Sequence, residues 1–397
     1  MTEPLLRADA PATALAEPRE HLPRGEDFLL WSPCLQAYGY RIVDRLFATR
    51  TIRRGPVARP LTRGPACEPR WSIDGEARDV ETFMDRNSVA GLLVIRHGRI
   101  VLERYGLGLQ PQDRWSTMST VKSMTSMLVG AALQDGAIGS IDDPLTRYLP
   151  QLAGSGYAQA TVRHLMTMSS GVAWSEVYTD KNSDVNRYSK SLADKVPGGV
   201  LAMLRERASA HAPGTAWHYN TGDTYLLGAV ICAATGRTLA DYMTERIWQP
   251  CGMEFDAYYT LESEGGQEIG GSRAGMTLRD MGRFAQWVLD DGRAGDTQVL
   301  PPGWVDLATA RAFDIPPTFN ATHRQALGIT GYGFGWWLRD DGAVLAMGHS
   351  GQRMFIDRRR GMVVVNLAAY PEPRYLSAIE HDRDAELAGL IEVFGRM

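Results

Sequence analysis

The stretch 114-RWSTMSTVKSMTSMLVGAALQDG-136 reads as the entry to a helix and its body. Val121, Met124, Leu128, Ala131 and Ala132 recur at helical spacing, and Met127, Val129 and Leu133 make the other faces apolar too. A helix apolar nearly all round belongs at the centre of a fold, packed on both sides, and Gly136 is its expected stop. A lysine is out of place in it. Only four of the 42 basic residues are lysine, and one of them, Lys122, stands three residues after Ser119.

Residues i and i+3 share a helix face, so the Ser119 hydroxyl and the Lys122 amine can meet at the helix start. That end also carries free backbone N–H groups and the positive end of the dipole. These parts suit acyl transfer. A serine needs a base to become a nucleophile, a desolvated lysine can be that base, and the oxyanion that forms needs N–H donors. The plain alternative is an N-cap serine beside a solvated lysine. By chance a serine precedes one of four lysines by three places in roughly one chain in four at ordinary serine usage, so the pair needs support from the rest of the chain.

Working outward, 89-VAGLLVIRHGRIVLERY-105 reads as two strands joined by a turn at His97-Gly98. Short amphipathic helices are expected in 160-ATVRHLMTMSSG-171 and 238-TLADYMTERIWQ-249, the second with Leu239, Tyr242, Met243 and Ile247 on one side. In 276-MTLRDMGRFAQWVLDDG-292, Thr277 is the expected N-cap, with Asp280 in the first turn and Met281, Phe284 and Val288 facing the core. Strands return in GFGWWLR, AVLAMG, RMFID and MVVVNLAAY, and a last helix carries Leu387, Leu390, Ile391 and Phe394. Strands early and late with helices between predict one sheet built from both chain ends. The expected division is a discontinuous α/β domain over 71–145 and 262–397, a mostly helical domain over 146–261, and an extended arm over 1–70 lying on the surface. The proline- and arginine-rich segment 51-TIRRGPVARPLTRGPACEPR-70 shows little periodicity.

The 397 residues suffice for one large domain or two smaller ones with buried cores. With 44% hydrophobic and 22% charged residues and a net charge of −4, nothing points to a basic field for nucleic acid or an anionic membrane. Cys34, Cys67, Cys232 and Cys251 lie far apart without CxxC spacing and are expected reduced and structural. The first twenty residues have no signal-peptide pattern and no apolar run has the length of a membrane span, which predicts a cytoplasmic location. Eight scattered histidines without HExxH or paired His/Cys spacing predict no metal, and no cofactor is expected.

MSTVKSMTSMLVGAALQDG resembles the SxxK region of the serine β-lactamase and penicillin-binding superfamily. The likeness covers most of residues 85–370. IDDPLTRYLPQL followed by ATVRHLMTMSSGVAW, then WHYNTGDTYLLGAVICAATG, AGMTLRDMGRF and GHSGQ resemble later landmarks of class C-like members in the expected order. Within that superfamily the chain most resembles 6-aminohexanoate-dimer (nylon oligomer) hydrolases and related carboxylesterases. The resemblance implies an α/β (α+β) β-lactamase-like fold, with a mainly antiparallel sheet flanked by helices plus an inserted helical region.

It also implies roles. Ser119 is the nucleophile, Lys122 its base, and Tyr219 the YxN tyrosine that relays protons. The third place of that motif is Thr221 rather than asparagine, so its substrate contact differs. The usual Lys-Thr-Gly motif has no lysine in AMGHSGQ; the second oxyanion N–H beside that of Ser119 falls at His349 in one register and near Gln352 in the other. Tyr178 in WSEVY and Trp337 in GFGWWLR fall at substrate-contacting positions of the hydrolases, and Gly271 stands where those enzymes carry a polar pocket residue. The implied activity is hydrolysis of small linear amides or esters through an acyl-enzyme. The alternatives are a carboxylesterase or acyltransferase without oligoamide activity and, less in keeping with the missing lysine, a penicillin-recognising enzyme. A small-molecule substrate is the expected partner, and a homodimer is compatible. GHSGQ and GGSRA each miss the last glycine of a GxSxG elbow.

Overall fold

Val89–Arg96 and Arg99–Tyr105 form the expected antiparallel hairpin, with His97 (φ 47°) and Gly98 (φ 74°) making its turn. In this computed structural model, which describes residues 22–73, 75–319, 321–370 and 382–397, the hairpin lies inside a nine-stranded sheet. In chain order its strands are β1 (Thr62–Arg63), β2 (Val89–Arg96), β3 (Arg99–Tyr105), β4 (Phe313–Asp314), β5 (Ile329–Tyr332), β6 (Trp337–Arg339), β7 (Val344–Gly348), β8 (Gln352–Asp357) and β9 (Met362–Ala368). The spatial order is β4-β5-β6-β7-β8-β9-β2-β3-β1, antiparallel except for the β1–β3 pair. The late strand β9 therefore pairs with the early strand β2, as Val364 opposite Val94.

Both faces of the sheet are covered, which is why β2 reads as a nearly unbroken apolar run. Side chains alternate along a strand. Leu93 and Ile95 join one core with Met281, Phe284 and Val288 of the helix Leu278–Leu289. Leu92 and Val94 join the other with Leu387, Leu390, Ile391 and Phe394 of the helix Arg383–Arg396. The first helix sits so close that a Cβ on Gly282 would come within 2.3 Å of Leu93. The second is pinned by Arg353 of β8, whose guanidinium donates to both oxygens of buried Asp384 at 3.1 and 2.8 Å. Thr277 caps the Leu278–Leu289 helix by accepting from Asp280 N–H.

Two local expectations shift. Only Trp337–Arg339 of GFGWWLR is strand, because Gly333–Trp336 turns the chain back from β5, a strand the periodicity had not revealed. The second amphipathic helix is α-helical over Leu239–Met243 and widens to π over Thr244–Trp248; Leu239, Tyr242, Met243 and Ile247 are buried all the same.

The extended surface arm is corrected for the residues from Pro23 to Ile52. Gly25–Leu30 and Pro33–Gly39 are helical, and Phe28, Trp31, Tyr40, Val43, Phe47 and Ile52 are buried in the main core. Residues 1–21 lie outside the described part of the chain. The arm was misread because its helices are too short for a 3.6-residue period to show. Ser32 caps the second of them, with Pro33 at its first position. Thr49–Ile52 then joins a small second sheet with Ala257–Thr260, Gly275–Met276 and Trp115–Ser116. All four cysteines are free. No helix among the described residues is long and apolar enough to cross a membrane.

Candidate active site

The small sheet delivers the chain to the site. After Trp115–Ser116 pairs with Gly275–Met276, Thr117 N–H donates to the Ala274 carbonyl at 2.8 Å. Met118 then takes φ 48°, a left-handed conformation that costs a methionine about 1 kcal/mol or more. A 3-10 turn over Met118–Thr120 leads into the helix Val121–Gln134. The strain is held by packing: β7 crosses so near that a Cβ on Gly348 would lie 2.7 Å from Thr117 O and 2.8 Å from Met118 Cβ. This turn presents Ser119, half-buried, ahead of a helix whose residues from Val121 to Ala132 are all buried. The helix is central, as its all-round apolar character predicts.

Lys122 is 2% exposed. Its Nζ lies 3.1 Å from Ser119 Oγ, 3.1 Å from Thr221 Oγ1 and 2.6 Å from the Gly271 carbonyl oxygen. Burial lowers its pKa to about 8; the Glu176 charge works against this, Arg273 reinforces it, and Asp223 opposes it more weakly. With a pKa near 8, roughly a tenth of such amines is uncharged at pH 7 and half at pH 8, far more than for an ordinary lysine, and the uncharged form is the one a general base needs.

The Tyr219 hydroxyl lies on the Ser119 side of the site, and its ring lies 5.3 Å from Lys122 Nζ. Burial raises its pKa, so the phenol keeps its proton at neutral pH. Trp337 stacks on this ring at 5.5 Å, and Trp217 and Phe319 close an aromatic wall around the pair.

The asparagine of YNT stands one place before the motif's third position, and its role there is local. Asn220 is the N-cap of the helix Thr221–Thr235, accepting from Gly222 and Asp223 N–H. Capping holds Thr221 at the first helical position, where its hydroxyl reaches Lys122. Gly271 likewise contributes through its backbone: its carbonyl is a ligand of the amine, and a Cβ there would crowd Thr224 and the Thr221 carbonyl.

A cavity opens over Ser119, lined also by Glu176, Tyr178, Thr221, Arg273 and His349. Tyr178 and His349 pack against each other in its lining, ring centroids 4.9 Å apart. Gln352 does not line it. Its side chain is buried under the β7–β8 turn, donating to His349 O, Ser350 O and Ala368 O and accepting from Trp115 Nε1 and Ala368 N–H. Of the two registers of the third motif, the one at His349 meets the cavity. Tyr40, from the N-terminal segment, donates to Ser350 Oγ at 3.0 Å and steadies the same turn. Trp337 belongs to the aromatic wall rather than to this cavity.

Two residues at the site escaped the sequence reading. Glu176 accepts from Thr221 N–H, the Thr221 hydroxyl, the Tyr178 hydroxyl and Trp174 Nε1. Arg273 is 2% exposed beneath the rings of Phe28 and Phe47, donates to Ser189 Oγ at 2.5 Å, and is lowered by burial to about 10. The only signal for either was a charge inside an otherwise apolar or small-residue stretch. Among the described residues no cluster of His, Cys, Asp and Glu could hold a metal ion.

The sheet-and-helix frame that holds the half-buried serine against the buried lysine is that of a serine hydrolase. Residues 77–387 match the family described as Beta-lactamase, and the chain belongs to that family. It is 28% identical over 332 residues to the 6-aminohexanoate-dimer hydrolase of Paenarthrobacter ureafaciens, covering 80% of this chain and 83% of that one. It is 31% identical over 201 residues to esterase EstB of Burkholderia gladioli, 46% of this chain and 50% of that. The solved structure of a "Putative 6-aminohexanoate-dimer hydrolase" from Bacillus anthracis shares the fold, with TM-score 0.77 and 23% identity over 95% of this chain and 99% of that one. Amidases and esterases thus stand together among the relatives.

Proposed function

We propose that this chain cleaves small linear amides or esters through a covalent acyl-enzyme on Ser119, in the manner of a 6-aminohexanoate-dimer hydrolase. The observation that carries the reading is Lys122 Nζ, buried and 3.1 Å from Ser119 Oγ. The uncharged amine takes the serine proton as Oγ attacks the carbonyl carbon. Backbone N–H groups of Ser119 and His349 receive the oxyanion. Tyr219, whose phenol keeps its proton at neutral pH, passes a proton to the departing amine or alcohol. Water then attacks the acyl carbon, and the same groups work in reverse to free the acid and restore Ser119. Tyr178 contacts the acyl or leaving group at the cavity, while Trp337, stacked behind Tyr219, acts by holding that ring in place rather than by touching substrate. Thr221 lines the cavity, with its hydroxyl engaged by Lys122 and Glu176.

The name of the Paenarthrobacter relative and the coverage of both chains favour a linear oligoamide, while the Burkholderia relative favours an ester. Hydrolysis of the linear 6-aminohexanoate dimer and of short-chain nitrophenyl esters, measured side by side, tests the reading. Turnover of at least one, lost in Ser119→Ala and reduced by several orders of magnitude in Lys122→Ala, is expected. Inertness toward both, or full activity in Ser119→Ala, would refute it.

A further inference from the structure

The Lys122 amine has three polar neighbours and, when uncharged, two N–H donors and one lone pair. The Gly271 carbonyl can only accept, so it takes one N–H. The remaining N–H and the lone pair are divided between two hydroxyls at equal distance, Ser119 Oγ and Thr221 Oγ1, each 3.1 Å away. Catalysis needs one of the two divisions only. The lone pair must face the Ser119 proton, and the N–H must face Thr221. Were the Thr221 proton to point at Nζ instead, the lone pair would be occupied and Ser119 would be held as an acceptor.

Glu176 breaks this tie. Its Oε1 lies 2.5 Å from Thr221 Oγ1, and every other neighbour of the carboxylate is also a donor: Thr221 N–H at 3.2 Å, the Tyr178 hydroxyl at 2.9 Å and Trp174 Nε1. A carboxylate, which accepts only, matches all four. The Thr221 hydroxyl proton is then committed to Glu176, and its oxygen can only accept from Lys122.

We propose that Glu176 is a positioning residue: by holding the Thr221 proton on its own carboxylate, it directs the Lys122 lone pair onto Ser119. The inference rests on the acyl-enzyme reading above. It assigns a function to a residue that does not touch the reacting atoms and that no sequence motif marks. The charged and titratable groups facing Lys122 are Glu176, Arg273 and Asp223, with the Tyr219 ring against it; of these only Glu176 is bonded to Thr221.

Glu176→Gln tests the proposal. Glutamine keeps the shape, but its amide can donate to Thr221 Oγ1 and release the threonine proton toward Nζ. The expected plateau kcat falls by about 10- to 100-fold, the lower part of the range for acid–base groups, with KM changed less than about threefold. Because an anion facing the amine is removed, the acid limb of the pH profile moves to lower pH, which mere loosening of the loop would not cause. Thr221→Val, which deletes the hydroxyl instead of reversing it, should cost less than Glu176→Gln, and adding Glu176→Gln to it should change kcat less than about threefold. Multiplicative losses in the double variant, or a stationary pH limb, would overturn the proposal. So would a Thr221→Val loss as large as that of Lys122→Ala, a result that decides the matter even if the glutamine protein does not fold. An acyl adduct detected on wild-type Ser119 alongside any of these results would confine the failure to the role of Glu176; no adduct on the wild type would be a failure of the acyl-enzyme reading itself.

Discussion

The Gly271 carbonyl oxygen stands 2.6 Å from Lys122 Nζ, the shortest of the amine's three contacts. A Cβ on this glycine would be tight, 3.1 Å from Thr224 Cβ and 3.2 Å from the Thr221 carbonyl, and in ordinary contact with Nζ at 3.5 Å. Gly271→Ala is therefore expected to push the acceptor a few tenths of an ångström off the amine. Misplaced base geometry of that order costs on the order of tenfold in rate. Ester turnover should drop by that amount while thermal unfolding stays cooperative and within a few degrees of wild type. Unchanged kinetics would show that the carbonyl does not hold the base.

The pH profile follows from the direction of the Lys122 shift. The working form is the uncharged amine, so kcat/KM should climb as pH rises through about 8. Arg273 contributes to keeping the pKa low by charge repulsion. Arg273→Met removes that cation, raises the lysine's affinity for its proton, and should move the acid limb to higher pH. A limb that moves to lower pH, or none between pH 6 and 9, would contradict this account of the base.

The same shift is a stability statement. The folded pKa near 8 lies below the ordinary 10.5, so between these values the unfolded chain binds the proton and the folded one does not. Above pH 10.5 neither state is charged and no penalty exists. The penalty grows as pH falls toward 8 and is constant below it, on the order of 3 kcal/mol for a shift of this size. Lys122→Met has no such term. Unfolding free energies of the two proteins, compared at pH 7 and pH 10, should therefore move in favour of wild type at the higher pH. A difference that does not vary with pH would mean that the amine is solvated in the folded protein.

A penicillin-type substrate carries a carboxylate that a lysine on the β7 side of the site would hold. Besides Lys122 the chain has three lysines, at 181, 190 and 195, and each pairs with a carboxylate away from the cavity: Lys181 with Asp27, Lys190 with Asp194, Lys195 with Glu264. Losing one charged hydrogen bond is worth about 2–3 kcal/mol, or about 100-fold. A chromogenic cephalosporin should accordingly be turned over at least about 100-fold less efficiently than a nitrophenyl ester. Comparable kcat/KM values would restore the antibiotic reading.

How far the sequence speaks for itself differs by element. The β2–β3 hairpin, the central helix and the Leu278–Leu289 helix are legible because each is long enough to complete its own period, and because Thr277 and the His97-Gly98 turn mark their ends. The residues from Gly25 to Ile52 are not: four short elements, none as long as eight residues, spread their buried aromatics without a repeat. Ser119 and Lys122 are legible because one helical turn joins them. The contacts of Thr221, Gly271 and Glu176 are not, since their meeting depends on helices and loops 45 to 149 residues apart along the chain. Gly271 shows the limit most clearly. Read as a missing side chain, it acts through its carbonyl, and backbone atoms leave no trace in residue type.

The account depends on a covalent ester at one hydroxyl. Rapid acid quench of the enzyme with a nitrophenyl ester, followed by mass analysis of the peptide containing residues 114–136, measures it directly. The predicted result is the acyl mass on Ser119, building within the first turnover in wild type and absent from Ser119→Ala. Steady product release with no acyl mass on that peptide, or with the mass on any other residue, would contradict it.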